Sequence, residues 1–239
     1  MTSELRDILF LDIETVGMTE QYSQLNERFK TQWARKAHFV KRENGQTDED
    51  LFYERAGIYA EFGKIIVIVI GKFAENETGE LIFKTKSFAN HDEKQLLEEF
   101  KSVLEKTDSS KTKLCAHNGK EFDFPYLSRR MLVNGVALPS LLNLSGKKSW
   151  EIPHLDTMEM WKFGDYKHYT SLDLLLALFD IPSSKGTMDG SKVNEVYYRE
   201  KDLKKIAEYC VGDVIAIAQL FLKMKGLPLI HENSFFHSN

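Results

Sequence analysis

The run of mostly β-branched residues from Ile65 to Gly71 constrains the fold more than any other segment of the chain. Its length suits a strand rather than a membrane-spanning helix, and its composition is typical of a buried strand. Strand-like and helix-like segments alternate along the rest of the chain, which predicts an α/β fold. The predicted strands cover Ile8–Val16, Lys64–Phe73, Leu81–Phe88, Thr112–Asn118 and His154–Thr157.

Helical periodicity and capping residues predict helices between and after these strands. A long segment, residues 18–61, separates the first two strands and is rich in charged and aromatic residues. Two interpretations of this insertion stay open: helices that pack on a sheet edge, or a flap over a substrate groove. We expect a single domain over residues 1–239. The predicted helices cover His91–Lys106, Asp123–Val133, Ser171–Phe179 and Lys201–Lys225, and residues 181–192 are expected to form a loop.

Composition limits the class of protein. The net charge of −4 argues against strong nonspecific binding to nucleic acid, but it allows phosphate binding within one cleft. Two cysteines, Cys115 and Cys210, are too few for a disulfide framework, and we expect both to be reduced packing residues. Because the N-terminus has no export-signal pattern and no apolar run is long enough to span a bilayer, we expect a cytoplasmic protein without membrane association.

Two acids, Asp12 and Glu14, follow the apolar part of the first strand. Side chains two residues apart on a strand point to the same face, so these carboxylates are expected to lie side by side. Their repulsion favours a hard divalent cation between them, and such cations serve in phosphodiester hydrolysis. On its own, however, the pair is more typical of solvated acids at a strand end.

A third acid, Asp123, begins a predicted helix just after the fourth strand. In the simplest interpretation it caps that helix and complements the helix dipole. A position at the end of the sheet also allows it to meet Asp12 and Glu14 if the strands are neighbours. Beside it, Phe122 offers a ring for stacking a base, and Asn118 offers an amide for hydrogen-bonding a sugar or phosphate.

The last predicted helix contributes Tyr209 and Asp213, which lie on one helical face because they are four residues apart. The surrounding residues of this helix are mostly apolar. An acid buried there requires a partner or a metal ion, since an uncompensated buried charge is costly. A pair between Asp213 and Lys204 or Lys205 is the alternative interpretation.

Together, the motifs D-x-E, N-x-x-x-F-D and Y-x-x-x-D resemble those of the DEDD superfamily of 3′-to-5′ exonucleases, over nearly the whole chain. Tyr209 stands where the tyrosine branch of that superfamily has its tyrosine, and Glu208 occupies the position of the histidine in the other branch. Within the tyrosine branch, residues 56–68 and 183–193 look most like the exonuclease domains related to family B DNA polymerases. The chain resembles the free-standing bacterial members of that group.

The resemblance implies a ribonuclease H-like fold, with a five-stranded mixed sheet flanked by helices and its second strand antiparallel to the others. It also implies two divalent cations, Mg²⁺ or Mn²⁺, and an attacking water positioned by Tyr209. The residues that would hold the cations are Asp12, Glu14, Asp123 and Asp213.

Substrate contacts are implied at three positions that hold the frayed 3′ end in polymerase-type relatives. These positions are Thr15, Asn118 and Phe122 in this chain. Lys185 and Lys192, in the predicted loop, could reach a phosphate, although a solvated loop explains them equally well. Asp156 and the histidines His117, His154 and His168 are expected to be structural or hydrogen-bonded residues rather than metal ligands.

The implied function is metal-dependent 3′-to-5′ hydrolysis of DNA, preferably single-stranded, that releases nucleoside 5′-monophosphates. A DNA polymerase or repair factors in trans are the candidate protein partners. Two alternatives stay open, RNA trimming in the manner of ribonuclease D and a nucleic-acid-binding accessory protein that lacks catalytic activity.

Overall fold

The computed structural model describes residues 3–165, 169–183 and 188–238. Within these residues, a mixed sheet of six strands has the order β5-β4-β1-β2-β3-β6. The strands are β1 (Ile8–Gly17), β2 (Gly63–Glu75), β3 (Leu81–Ala89), β4 (Lys113–Ala116), β5 (Leu155–Asp156) and β6 (Phe235–Ser238). The α-helices are α1 (Ser3–Arg6), α2 (Glu27–Ala37), α3 (Asp48–Arg55), α4 (Glu93–Leu104), α5 (Asp123–Val133), α6 (Thr157–Lys162), α7 (Leu172–Leu178), α8 (Val193–Glu195) and α9 (Leu203–Met224).

The second strand is antiparallel to both of its neighbours, whereas β4, β5 and β6 each run parallel to the strand beside them. The predicted direction of β2 is therefore confirmed, but the predicted number of strands is wrong because it lacks β6. This strand has four residues, mostly exposed, and His237 Nδ1 lies 3.0 Å from Thr85 Oγ1 of β3. A segment this short carries no clear alternation, so tertiary pairing determines its conformation.

Alternate residues of β1 point to opposite faces of the sheet, and different helices cover each face. Phe10 packs against Phe221 of α9, with ring centroids 5.5 Å apart. Leu9 points the other way, into an apolar cluster that contains residues of α4 and α5. Asp12 and Glu14 continue the Phe10 side of the strand and therefore belong to the face covered by α9.

The insertion between β1 and β2 contains α2 and α3, which share an aromatic cluster. Trp33 of α2 lies in this cluster, with its ring centroid 5.2 Å from that of Phe52 and 5.0 Å from that of Phe62. A 3₁₀ turn, Ala56–Ile58, follows α3, and the Gly57 carbonyl accepts a hydrogen bond from the Thr15 hydroxyl of β1 at 2.8 Å. The insertion therefore lies against the carboxyl end of β1, beside the acids of that strand.

A buried ion pair fixes α5 against its neighbours. Arg130 of α5 donates to both carboxylate oxygens of Glu93, at 2.9 and 2.6 Å, and to the Ala60 carbonyl at 2.9 Å. Glu93, the first residue of α4, also accepts from the backbone N–H of Ile65 at 2.7 Å. A buried pair with its hydrogen bonds satisfied is costly to break. The pair therefore holds α4 and α5 against each other, against β2 and against the end of the insertion.

The last helix, α9, agrees closely with the helix predicted at Lys201–Lys225. Gly226 follows it with a φ of 67°, a conformation that glycine adopts readily at a helix end.

The predicted loop at residues 181–192 lies partly outside the described residues. Its described end forms a 3₁₀ turn, Gly190–Lys192, that continues into α8 and then into an unpredicted π-helical turn, Val196–Glu200. None of the described helices combines the length and apolar character needed to cross a bilayer.

Candidate metal-binding active site

The carboxyl ends of β1 and β4 border a crevice in the sheet. β1 pairs with β4 from Ile8 to Phe10, and β4 ends at Ala116, whereas β1 continues along β2 to Gly17. From β1 the chain proceeds to β2 on one side, and it later returns to β4 on the other side. Open α/β sheets bind ligands at such a switch in strand order, outside the carboxyl ends of the strands.

Asp12 and Glu14 lie at this crevice on β1. Asp12 is opposite Val69 of β2, and Glu14 is opposite Val67, just before a bulge in β1. The Cys210 thiol of α9 donates to Asp12 Oδ2 at 3.2 Å. Each of Asp12, Glu14 and Cys210 has a potential ligand atom within 4.8 Å of those of the other two. These three side chains are therefore close enough to hold a metal ion.

Asp123 reaches the same end of β1 from the first residue of α5. It is only 3% exposed, and this burial raises the pKa of its carboxyl to about 7, although a hydrogen bond from the Ile13 backbone lowers it. Its Oδ1 has no hydrogen-bond partner among the described residues. Because buried polar atoms in proteins nearly always have partners, this oxygen fits a ligand to a cation.

The helix α9 brings Asp213 and Tyr209 to the cluster. Repulsion from Asp213 contributes to the raised pKa values of Asp12 and Glu14, so Asp213 lies within electrostatic reach of both. Burial, followed by the charge of Asp213 and a hydrogen bond to it, raises the pKa of the Tyr209 phenol well above its usual value. The phenol therefore keeps its proton at neutral pH and stays a hydrogen-bond donor.

The electrostatics of the cluster favour a bound cation. Burial and then repulsion from Asp123 raise the pKa of Asp12 well above its usual value, and burial and then repulsion from Asp213 do the same for Glu14. Charges buried together are unfavourable without a counter-charge. Carboxylate oxygens are the ligands that Mg²⁺ and Mn²⁺ prefer, so this donor set fits divalent cations.

A fifth acid near the site, Asp156, has a structural role. Its carboxylate accepts from the backbone N–H groups of Asn118 at 3.0 Å, Lys120 at 3.1 Å and Met158 at 2.9 Å. These bonds cap α6 and fix the turn after β4, in which Asn118 has a φ of 64°. Asp156 therefore positions the turn that leads to Asp123, and its oxygens are already occupied by backbone donors.

The histidines near the motifs are hydrogen-bonded within the fold. Both ring nitrogens of His117 lie 2.9 Å from oxygen atoms of neighbouring residues, and those of His154 contact backbone groups at 3.2 and 2.7 Å. Burial lowers the pKa of both rings. Two other predicted positions, His168 and Lys185, lie outside the described residues.

Two of the predicted substrate contacts, Thr15 and Phe122, line a cleft of about 650 Å³ together with Glu14. The Thr15 hydroxyl donates to the Gly57 carbonyl at 2.8 Å, so its hydrogen is already used within the protein. Asn118 has a buried side-chain oxygen, Oδ1, that has no hydrogen-bond partner among the described residues. Asn118 is not among the residues that line this cleft, in contrast to Thr15 and Phe122.

Two contributors to the site are not among the predicted residues. Cys210, predicted as a packing residue, donates to Asp12. It lies three residues before Asp213, and this spacing places both residues on the same side of α9. The insertion supplies Tyr53 to the wall of the cleft, and Asn194 Nδ2 donates to the Tyr53 carbonyl at 3.2 Å. Such contacts arise from tertiary packing and leave no local pattern in the sequence.

Replacing Asp12 with Asn should stabilise the metal-free protein by about 1 kcal/mol in the free energy of unfolding, because it removes one charge from the repelling cluster. Thermal unfolding in excess chelator measures this change. Added Mn²⁺ should raise the melting temperature of the wild type more than that of Asp12→Asn. Glu208→Gln, which neutralises an exposed acid on α9, is the matched control and should alter neither result. A lower melting temperature for Asp12→Asn in chelator would contradict the repulsion.

One protein family matches residues 58–232, and it is described as a predicted 3′-5′ exonuclease related to the exonuclease domain of PolB. The matched range contains Asp123, Tyr209 and Asp213, whereas Asp12 and Glu14 precede it. No curated protein matches the sequence.

The fold is similar to that of a solved structure, the family B DNA polymerase from the hyperthermophilic archaeon Pyrobaculum calidifontis, with a TM-score of 0.52 and 14% sequence identity. The similarity covers 90% of this chain and 24% of the polymerase chain, so this chain spans about a quarter of that protein's length. At this identity the similarity concerns the fold, and it fits the ribonuclease H-like arrangement that the sequence motifs imply.

Proposed function

The chain belongs to the family of predicted 3′-5′ exonucleases related to the exonuclease domain of PolB, and we propose that it shortens single-stranded DNA from the 3′ end. The products are nucleoside 5′-monophosphates. The proposal rests on four acids that lie together in one crevice, one of which has a buried oxygen without a hydrogen-bond partner in the described part of the chain. These acids are Asp12, Glu14, Asp123 and Asp213. Hydrolysis at a phosphate requires positive charge beside it, and a cluster of this kind binds that charge.

Two divalent cations, Mg²⁺ or Mn²⁺, are the proposed cofactors, and the four acids are their proposed ligands. When bound, such cations lower the pKa of a coordinated water and stabilise negative charge on the departing oxygen. Four carboxylates also balance the charge of two dications. The Cys210 thiol contacts Asp12 Oδ2 at 3.2 Å, which restrains the orientation of that carboxylate.

Tyr209 is proposed to orient the attacking water rather than to deprotonate it. Its phenol keeps its proton because burial and the neighbouring Asp213 raise its pKa. Its one hydrogen is donated to Asp213, so its oxygen is left to accept a hydrogen bond from the water, and a protonated phenol is a poor general base. The bond to Asp213 also restrains the direction of the hydroxyl, so the ring and its oxygen enter the reaction already oriented.

The cleft beside the acids supports a single-stranded substrate. Its volume of about 650 Å³ lies within the range of small-molecule sites and admits a terminal nucleotide rather than a duplex. A 3′ nucleotide must therefore leave any duplex to enter. The Phe122 ring lines this cleft and is held against Tyr126, with ring centroids 5.3 Å apart, which leaves it available for stacking a base.

The preference for DNA rests on the relationship of the family to the exonuclease domain of PolB. A DNA polymerase or repair factors acting in trans are the protein partners that this proposal implies.

Digestion of matched 5′-labelled DNA and RNA oligonucleotides, with Mg²⁺ and with Mn²⁺, tests the proposed activity. We expect DNA products that shorten from the 3′ end, and no products in excess chelator. Asp213→Asn should lower the rate by a factor of about 1000, because it removes a ligand charge at nearly constant side-chain volume.

Glu208→Gln serves as the control in this assay, since Glu208 is exposed on α9 and pairs with Lys204 at 3.6 Å. It should retain the wild-type rate. Wild-type activity in Asp213→Asn, or in chelator, would refute the metal-dependent mechanism. Shortened products from the RNA oligonucleotide alone would identify RNA as the substrate. Binding of an oligonucleotide without cleavage would indicate an accessory protein.

Tyr209→Phe should lower kcat by about 100-fold and leave KM nearly unchanged, because the phenol is proposed to contact the attacking water and not the bound strand. Single-turnover and steady-state kinetics on a short DNA oligonucleotide separate the two parameters. A melting temperature close to that of the wild type would exclude unfolding as the cause. An unchanged kcat would remove the proposed role of Tyr209.

A further inference from the structure

The segment of residues 28–42, which covers most of α2 and the turn after it, is strongly basic. It contains six Lys or Arg and no Asp or Glu, although the whole chain has a net charge of −4. The segment also precedes the family match, which begins at residue 58. Membership of the family therefore does not account for this concentration of positive charge.

Exposed residues of α2 and its following turn present this charge to solvent. Arg28 and Arg35 are seven residues apart, which places them on the same side of the helix, and both are exposed. Trp33 points away from solvent into the aromatic cluster of the insertion. Phe39, just after the helix, is 85% exposed, and Lys41 beside it is also exposed. We call Arg28, Arg35, Phe39 and Lys41 the basic strip.

The cations of the basic strip differ from the other three cations of the segment in whether they contact a charged or aromatic partner. Three of those cations have partners: Lys30 pairs with Glu27, Arg42 pairs with Asp48, and Lys36 lies over a tyrosine ring. The cations of the strip make no ion pair with any residue in the described part of the chain. Exposed cations and an exposed aromatic ring are the groups that single-stranded nucleic acids recognise, through phosphate contacts and base stacking.

The basic strip and the cleft belong to one packed region. Trp33 of α2 and Phe52 of α3 have ring centroids 5.2 Å apart, and Trp33 Nε1 donates to the Asp48 carbonyl at 2.7 Å. The end of α3 in turn supplies Tyr53 to the wall of the cleft that contains Glu14. The cleft and α2 are therefore connected through α3.

We propose that the basic strip binds the backbone of single-stranded nucleic acid at nucleotides that precede the 3′ end, with Phe39 stacking on a base. This inference rests on the proposed function, because it assigns the strip to the strand whose end enters the cleft. The strip would lengthen the contact with the substrate and favour long strands over short ones. It concentrates positive charge, which favours binding of a polyanion, on a protein whose net charge is −4.

Fluorescence anisotropy in excess chelator, where cleavage is absent, tests the strip with labelled single-stranded DNA of about 4 and about 20 nucleotides. The variant Arg28→Ala/Arg35→Ala/Lys41→Ala should bind the longer strand about tenfold more weakly and the shorter strand as the wild type does. Loss of three phosphate contacts should also reduce the slope of log affinity against log salt by about 2. Phe39→Ala should weaken binding of the longer strand about fivefold or more, with the salt slope unchanged.

The matched control, Lys84→Ala/Lys106→Ala/Lys113→Ala, removes three exposed lysines away from the carboxyl ends of the strands and should bind as the wild type does. Equal losses in both triple variants, or no loss in either, would overturn the proposal. Two results together would assign the surface to an acidic protein instead: tight binding of polyglutamate that depends on the basic strip, and unchanged DNA affinity in Phe39→Ala. The binding assay does not depend on catalysis. If DNA binding depends on the basic strip but the protein shows no nuclease activity, only the proposed function is refuted.

Discussion

Repulsion among buried carboxylates is the constraint around which this structure is arranged. Asp12 and Glu14 end the apolar part of a central strand, Asp123 is the buried first residue of α5, and burial raises the pKa of each carboxyl. Such a cluster destabilises a fold unless a cation joins it. The apolar clusters on both faces of the sheet therefore supply the stability that the site itself lacks, as is common where function and stability conflict.

Rigid elements hold these acids, and each element is fixed by interactions outside the cluster. β1 is paired on both sides, and α9 buries much of its length against the sheet. The buried pair of Arg130 and Glu93 fixes α5, while Asp156 fixes the turn that precedes it. Groups carried on such supports keep their relative positions before a ligand binds, which is the preorganisation that phosphoryl chemistry requires.

Short-range patterns in the sequence predict most of the sheet and the acids that line its crevice. The apolar run Ile65–Gly71 is a strand as predicted, and the spacing of Tyr209 and Asp213 places both on one side of a helix. In contrast, β6 is too short to show a periodic pattern, and the contact between Cys210 and Asp12 depends on how α9 packs on β1. The catalytic and substrate-binding roles of the motif residues stay predictions until they are measured.

The most direct test of the metal site is anomalous X-ray diffraction from crystals soaked in Mn²⁺. Two anomalous peaks should lie in the crevice between β1 and β4, contacted by the carboxylates of the cluster. Oδ1 of Asp123, which lacks a hydrogen-bond partner among the described residues, should contact one of them. Absence of Mn²⁺ from the crevice, with all four carboxylates ordered, would contradict the proposal that these acids form a two-cation site.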